Sequence, residues 1–145
     1  MQNLPHHYAV AAATRHDKDV ELSSDGLKTL TSAAPAEFGG PGNLWSPETL
    51  LVAAVADCFI LSFKAIARGM KLDWVALSCE VKGTLDRVDN TTLFTAFTVK
   101  AVLDVPAGTD EQKAERIMQK AEHACLISNS LKAETHLDTE VRFTG

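Results

Sequence analysis

The chain has 145 residues, of which 46% are hydrophobic and 23% charged, a balance that excludes an intrinsically disordered protein. That length favours one domain, residues 1–145, which can bury roughly 70% of its unfolded surface without a disulfide or metal scaffold. Lys and Arg number 14 against 19 Asp and Glu, a net charge of −5 with no visible basic patch, so nucleic acid is not an expected partner.

From Tyr8 to Thr31 the pattern is that of strands: Tyr8-Ala9-Val10-Ala11 is apolar, Val20-Glu21-Leu22 alternates, and Ser24-Asp25-Gly26 is a turn signal before Leu27-Lys28-Thr29-Leu30. A meander of two or three strands is expected. Pro35 to Asn43 is rich in Gly and Pro and cannot be regular structure. It is too short for an interdomain linker, and reads as an ordered loop. A helix follows. Ser46 is a good N-cap, Pro47 suits the first helical position, and Glu48 complements the positive helix end, while Gly69 marks the stop after Arg68. Leu50 to Phe63 leaves almost no polar face, so this helix should be buried on all sides. The run contains Asp57 and is shorter than a bilayer span, and Met1 to His7 is polar without an apolar signal core. No membrane segment and a cytoplasmic location are therefore expected.

Val75, Leu77, Cys79, Val81 and Leu85 then alternate with polar residues. Asp89-Asn90 supplies a turn, and Phe97, Val99, Ala101, Leu103 and Val105 alternate again, which predicts an antiparallel hairpin with one face on the core. A second helix should open at Thr109, with Gln112 as its capping-box partner, and end near Cys125. Leu137 to Phe143 is the last alternating strand. Strands, buried helix, hairpin, helix and strand make an α+β pattern.

Three cysteines, an odd number, fit reactive or buried thiols better than a disulfide framework. Cys58 lies in the middle of the apolar helix, Cys125 at the end of the second, and Cys79 in a strand row assigned to the core. On residue type alone, Cys58 and Cys125 read first as small core hydrophobes. No Gly-rich phosphate loop or serine nucleophile elbow is present, and His123, two residues before Cys125, points about 200° away from it on a helix. His6-His7 have no helical spacing for a metal, and His136 begins a strand.

Gly39-Gly40-Pro41-Gly42, Ser46-Pro47-Glu48, Leu50-Leu51, Ala53-Ala54 and Cys58-Phe59, with Cys125-Leu126-Ile127-Ser128-Asn129-Ser130, closely resemble the motifs of the OsmC/Ohr family of thiol peroxidases. The resemblance implies an intertwined homodimer in which antiparallel sheets wrap two central helices, with active sites at the subunit interface. It implies reduction of organic hydroperoxides, in the oxidative stress response, by a peroxidatic Cys58 and a resolving Cys125, recycled by a dithiol of the lipoyl type. No metal, haem, flavin or other cofactor is implied. The chemistry needs these residues: a thiolate attacks the peroxide oxygen and becomes a sulfenic acid, and a nearby thiol condenses with it to a disulfide. The family activates its thiolate with an arginine paired to a glutamate. Glu48 matches the glutamate, and it also serves as a first-turn acid that stabilises the helix dipole. Ten residues of helix put it about 15 Å from Cys58, so a role there implies the partner chain or a bent path. Asp17 falls at the position that matches the family's arginine, two residues after Arg15. Arg15 is the candidate, with Arg68 and Arg87 as fallbacks. Asp57 stands where the family has a small residue, and its charge opposes thiolate formation. Phe38, Trp45 and Phe59 are candidate substrate-lining aromatics, with plain core packing as the alternative, and the Gly-rich loop is a candidate mobile wall of the site. The alternative functions are a non-catalytic small-molecule or lipid binder and a redox sensor of the same fold.

Overall fold

A computed structural model describes residues 1–145. The chain forms two compact units, Met1–Leu50 and Leu51–Gly145.

The first unit is built on a three-stranded antiparallel meander, β1 (Ala11–Ala13), β2 (Val20–Ser23) and β3 (Leu30–Ser32), in that order. The meander is as expected, but the pairing of β1 and β3 lies about three residues further along than the apolar runs suggest. Ala11 pairs with Ser23 and Leu22 with Leu30, which leaves Tyr8 to Val10 exposed outside the sheet. The Gly/Pro segment is an ordered, hydrogen-bonded loop. It holds a 3₁₀ turn (Ala36–Phe38), closed by the Gly39 amide on the Ala36 carbonyl at 3.0 Å and the Gly40 amide on the Pro35 carbonyl at 2.9 Å. A Cβ at position 40 would collide with the Ala34 carbonyl, so only glycine fits there. Ser32 bridges Trp45, and the Ala33 amide donates to the Trp45 carbonyl at 2.9 Å, which returns the chain to the start of α1 (Pro47–Gly69). Ser46 caps that helix: the Thr49 amide donates to its Oγ at 3.1 Å, and its own amide donates to Thr49 Oγ1 at 2.9 Å.

The second unit contains the rest of α1, then β4 (Ala76–Val88), β5 (Thr91–Pro106), α2 (Glu111–Ala124), α3 (Leu126–Asn129) and β6 (Glu134–Thr144). Asp89 and Asn90 both take positive φ, the conformation of a two-residue hairpin turn that Asn and Asp tolerate. β4 and β5 are antiparallel, with a register shift near Thr84 and Leu85. β6 joins β5 in parallel, giving a mixed sheet of order β4-β5-β6 rather than a purely antiparallel one. The reason is the connection. β5 reaches β6 through α2 and α3, and a helical crossover of this length delivers a parallel strand.

The core lies on one face of this sheet. Phe97, Val99, Ala101, Leu103 and Val105 of β5 are buried with Val55, Phe59, Phe63 and Ala67 of α1 and Ala114, Ile117, Met118 and Ala121 of α2. Phe63 meets Trp74 edge to face at 5.3 Å between ring centres. Two sequence expectations change here. α2 starts one residue later than expected, because Asp110 is the N-cap and accepts from the Lys113 amide at 3.2 Å, while Thr109 Oγ1 turns back to the Pro106 carbonyl. And α1 runs to 23 residues and contains an 18-residue window of mean hydropathy 2.1, so it is long and apolar enough to cross a bilayer by length and composition, which its apolar stretch alone understated. Its fully buried residues recur every fourth position and pack into the core, while the rest of its circumference stays partly or fully exposed in the single chain.

Candidate functional site

Cys58 and Cys125 are far apart in sequence, yet the fold of the second unit brings the Cys58 thiol close enough to Cys125 to help raise the pKa of Cys125. Each reaches the place by a simple device. Cys58 sits on α1 one position before the core residue Phe59, which leaves it half-buried at the edge of the packed stripe. Its Sγ is 4.0 Å from the hydroxyl of Ser62, one turn on. Cys125 occupies the break between two helices. Its backbone is extended (φ −64°, ψ 102°), its amide closes α2 on the Glu122 carbonyl, and its carbonyl receives the Asn129 amide. The break turns the side chain inward, where it is 1% exposed.

Burial pushes the Cys125 thiol above its ordinary pKa. The hydroxyl of Ser128 donates to its sulfur at 3.3 Å and, with the Ser128 backbone, pulls in the opposite direction, while the Cys58 thiol beside it adds to the rise. Both cysteines are free thiols. The pair thus has one member partly open to solvent and one sealed and held by a hydroxyl. Ser62 carries no motif signal in the sequence, and Ser128 enters there only as a member of the Cys125–Ser130 block. The available signal was their spacing, four residues after Cys58 and three after Cys125, which puts a hydroxyl on the same helical face.

Cys79 of β4 is half-buried against the core, donates from Sγ to the Ala56 carbonyl at 3.8 Å, and has its pKa raised by burial. Asp57 is exposed, off the Cys58 face. Phe59 is a core side chain, 1% exposed, and takes the packing role rather than a lining one. His123 is exposed, with its carbonyl accepting from Asn129 Nδ2, and His136 is exposed beside Glu134. Arg68 and Arg87 are also exposed. No group of three His, Cys, Asp or Glu side chains has a metal-binding arrangement.

In the first unit, Arg15 lies in the turn between β1 and β2, exposed and without an ion pair. It borders a concavity of about 580 Å³ with Lys18, Asp19 and Glu21, which contains no cysteine. Phe38 and Trp45 are 59% and 48% exposed. Glu48, in the first turn of α1, has Oε1 buried with no hydrogen-bond partner. A buried polar oxygen left without a donor costs about 1–3 kcal/mol.

Comparison with known proteins agrees with this architecture. The profile of a family described as OsmC-like protein matches residues 40–140. An uncharacterised protein of Bacillus subtilis, YmaD, is 25% identical over 143 residues, covering 93% of this chain and 92% of its own. Peroxiredoxin OsmC of Escherichia coli is 31% identical over 97 residues, 67% of each chain. Among solved structures, an OsmC-like protein of unknown function from Vibrio cholerae superposes with a TM-score of 0.85 at 17% identity, covering 94% of this chain and all of that one. An organic hydroperoxide resistance protein OsmC from Legionella pneumophila gives 0.76 at 23% identity, over 97% and 99%. With the profile spanning both the helix that carries Cys58 and the break that carries Cys125, the chain is a member of the OsmC-like protein family.

Proposed function

We propose that this protein is a thiol-dependent peroxidase that reduces organic hydroperoxides, working as a cytoplasmic homodimer and a single functional domain per chain. The observation that carries the reading is the pairing of a half-buried Cys58 with a sealed Cys125 held by Ser128. In the reaction, the Cys58 thiolate attacks one peroxide oxygen, the O–O bond breaks, and the departing alkoxide takes a proton to leave as alcohol. Cys58 becomes a sulfenic acid. The Cys125 sulfur then attacks it, expelling water and forming a disulfide. An external dithiol of the lipoyl type reduces that disulfide by two successive exchanges and leaves as its own cyclic disulfide. The cysteines carry the redox change, so no cofactor is needed. Glu48 and Arg15 are assigned to thiolate activation. The unpartnered, buried oxygen of Glu48 favours a role in receiving a guanidinium, and the unpaired Arg15 is the candidate donor. Phe38 and Trp45, large and exposed, suit an apolar substrate or a subunit partner.

Single-turnover reaction of the reduced protein with cumene hydroperoxide tests this. One equivalent of alcohol should form as two thiols disappear, and Cys58→Ser should abolish the reaction. Full activity in Cys58→Ser, or no peroxide consumption by the wild type, overturns the reading. In Cys125→Ser, excess peroxide should drive Cys58 to sulfinic acid; an unmodified Cys58 would remove Cys125 from the resolving role.

A further inference from the structure

Between Leu50 and Phe63 the side chains of α1 are apolar except for Asp57, Cys58 and Ser62. Asp57 is exposed to water, whereas Ser62 is half-buried. Serine supports a helix less well than alanine, and inside a helix its hydroxyl ordinarily bonds back to the carbonyl four residues earlier. Ser130 does this, with its Oγ donating to the Leu126 carbonyl at 2.8 Å. Ser62 does not. The carbonyl within that reach belongs to Cys58, and the Ser62 hydroxyl lies instead 4.0 Å from the Cys58 sulfur, its one hydrogen-bond partner in the chain. Helix geometry accounts for the approach. Four residues advance the chain by about 40° around the axis and about 6 Å along it, and side chains lean toward the N-terminus, so Ser62 reaches back over the turn that carries Cys58.

With Cys58 as a thiol, either atom of the pair can donate. A thiolate has lone pairs and no proton, so once Cys58 ionises the hydroxyl must be the donor, and the contact becomes a charge-assisted one that favours the charged sulfur. We propose that Ser62 is a positioning residue for the first oxidation: its hydroxyl donates to the Cys58 thiolate, fixes the direction of the sulfur and favours its ionised form, without placing a charge on an apolar helix. The inference rests on the peroxidase reading above and adds a group of the same chain to the Glu48 and Arg15 assigned there. Each sulfur then has a hydroxyl of its own, Ser62 for Cys58 and Ser128, at 3.3 Å, for Cys125. Ser62 keeps its proton throughout. A hydrogen bond to a charged group is worth about tenfold in thiolate population. The stabilised thiolate is a weaker nucleophile, but that loss cancels only about half of the gain on a logarithmic scale, which leaves about threefold in rate.

A chain carrying Cys79→Ala and Cys125→Ser isolates Cys58 for the test. In it, Ser62→Ala should lower the far-ultraviolet absorbance of the thiolate at neutral pH and slow alkylation by iodoacetamide about threefold, and Ser62→Thr, which keeps the hydroxyl, should recover most of both. Alanine supports the helix better than serine, so the variant should stay folded. With all three cysteines in place, Ser62→Ala should slow the first phase of thiol loss after peroxide and leave the disulfide-forming phase unchanged. Absorbance and alkylation that do not respond to Ser62→Ala, a loss that Ser62→Thr does not recover, or an equal slowing of both phases overturns the role of Ser62. Alkylation needs no peroxide, so a protein that shows the Ser62 dependence yet consumes no cumene hydroperoxide overturns the peroxidase reading alone and leaves the hydroxyl–thiolate pair standing.

Discussion

At the residue scale, the two interior thiols give a pH signature. Burial raises the pKa of both Cys79 and Cys125, so the folded chain keeps their protons at pH values where the unfolded chain has released them. Below the ordinary thiol value of 9.0 the two states hold equal protons and the thiols leave stability unchanged. Above it the unfolded state binds fewer, so stability falls as pH rises toward the folded-state values. Urea midpoints of the reduced protein should therefore decline above about pH 9, and the decline should be shallower in Cys79→Ala/Cys125→Ser. An identical slope in that variant would show that the thiols are not shielded. Ser128→Ala removes the hydroxyl that opposes the rise at Cys125, and should move its thiol further up and slow disulfide formation after peroxide treatment without slowing the first oxidation at Cys58. Stopped-flow thiol loss separates the two phases.

At the element scale, most of the architecture was legible, because each element carries its own signal. Ser46-Pro47 marks the start of α1, Asp89-Asn90 marks the hairpin turn, and the alternation through Val99 and Leu103 marks the buried face of β5. What the residues could not disclose was pairing. The parallel entry of β6 depends on the crossover through α2, and strand alternation reads the same in either direction. The cap of α2 was misplaced by one residue because Thr109 and Asp110 are both good caps, and the contest is settled by the Thr109 hydroxyl bonding to Pro106. Asp110→Ala should accordingly cost about 1 kcal/mol by chemical denaturation, since the Lys113 amide loses its acceptor. The motif resemblance marks Cys58 and Cys125 without deciding what they do, and of the two readings open for Phe59, lining or core packing, its place in the every-fourth-residue stripe of α1 matches the second. Gly83 is a further element-level constraint. A Cβ there would lie 2.9 Å from Val52 Cγ2 and 3.0 Å from a Phe94 ring carbon, so β4 approaches α1 more closely than any side chain allows. Gly83→Ala should destabilise by about 1–3 kcal/mol, and a neutral effect would mean that this contact relaxes freely.

At the scale of the whole molecule, the location of Cys125 matters for more than chemistry. It lies in the crossover that links the two parallel strands, while Cys58 lies on the helix that precedes the whole sheet. Peroxide turnover would therefore tie the helix to the return path of the chain and enclose β4, β5 and α2 in a covalent ring. Closing a ring of that size restricts the unfolded chain by about 4 kcal/mol in the entropic account. The oxidised protein should melt several degrees above the reduced one, and calorimetry of the two forms, with Cys125→Ser as the unlinked control, reads the difference directly. Under the proposed function, the protein would be toughened by the oxidant it destroys, and would loosen again only when a reductant returned it to work.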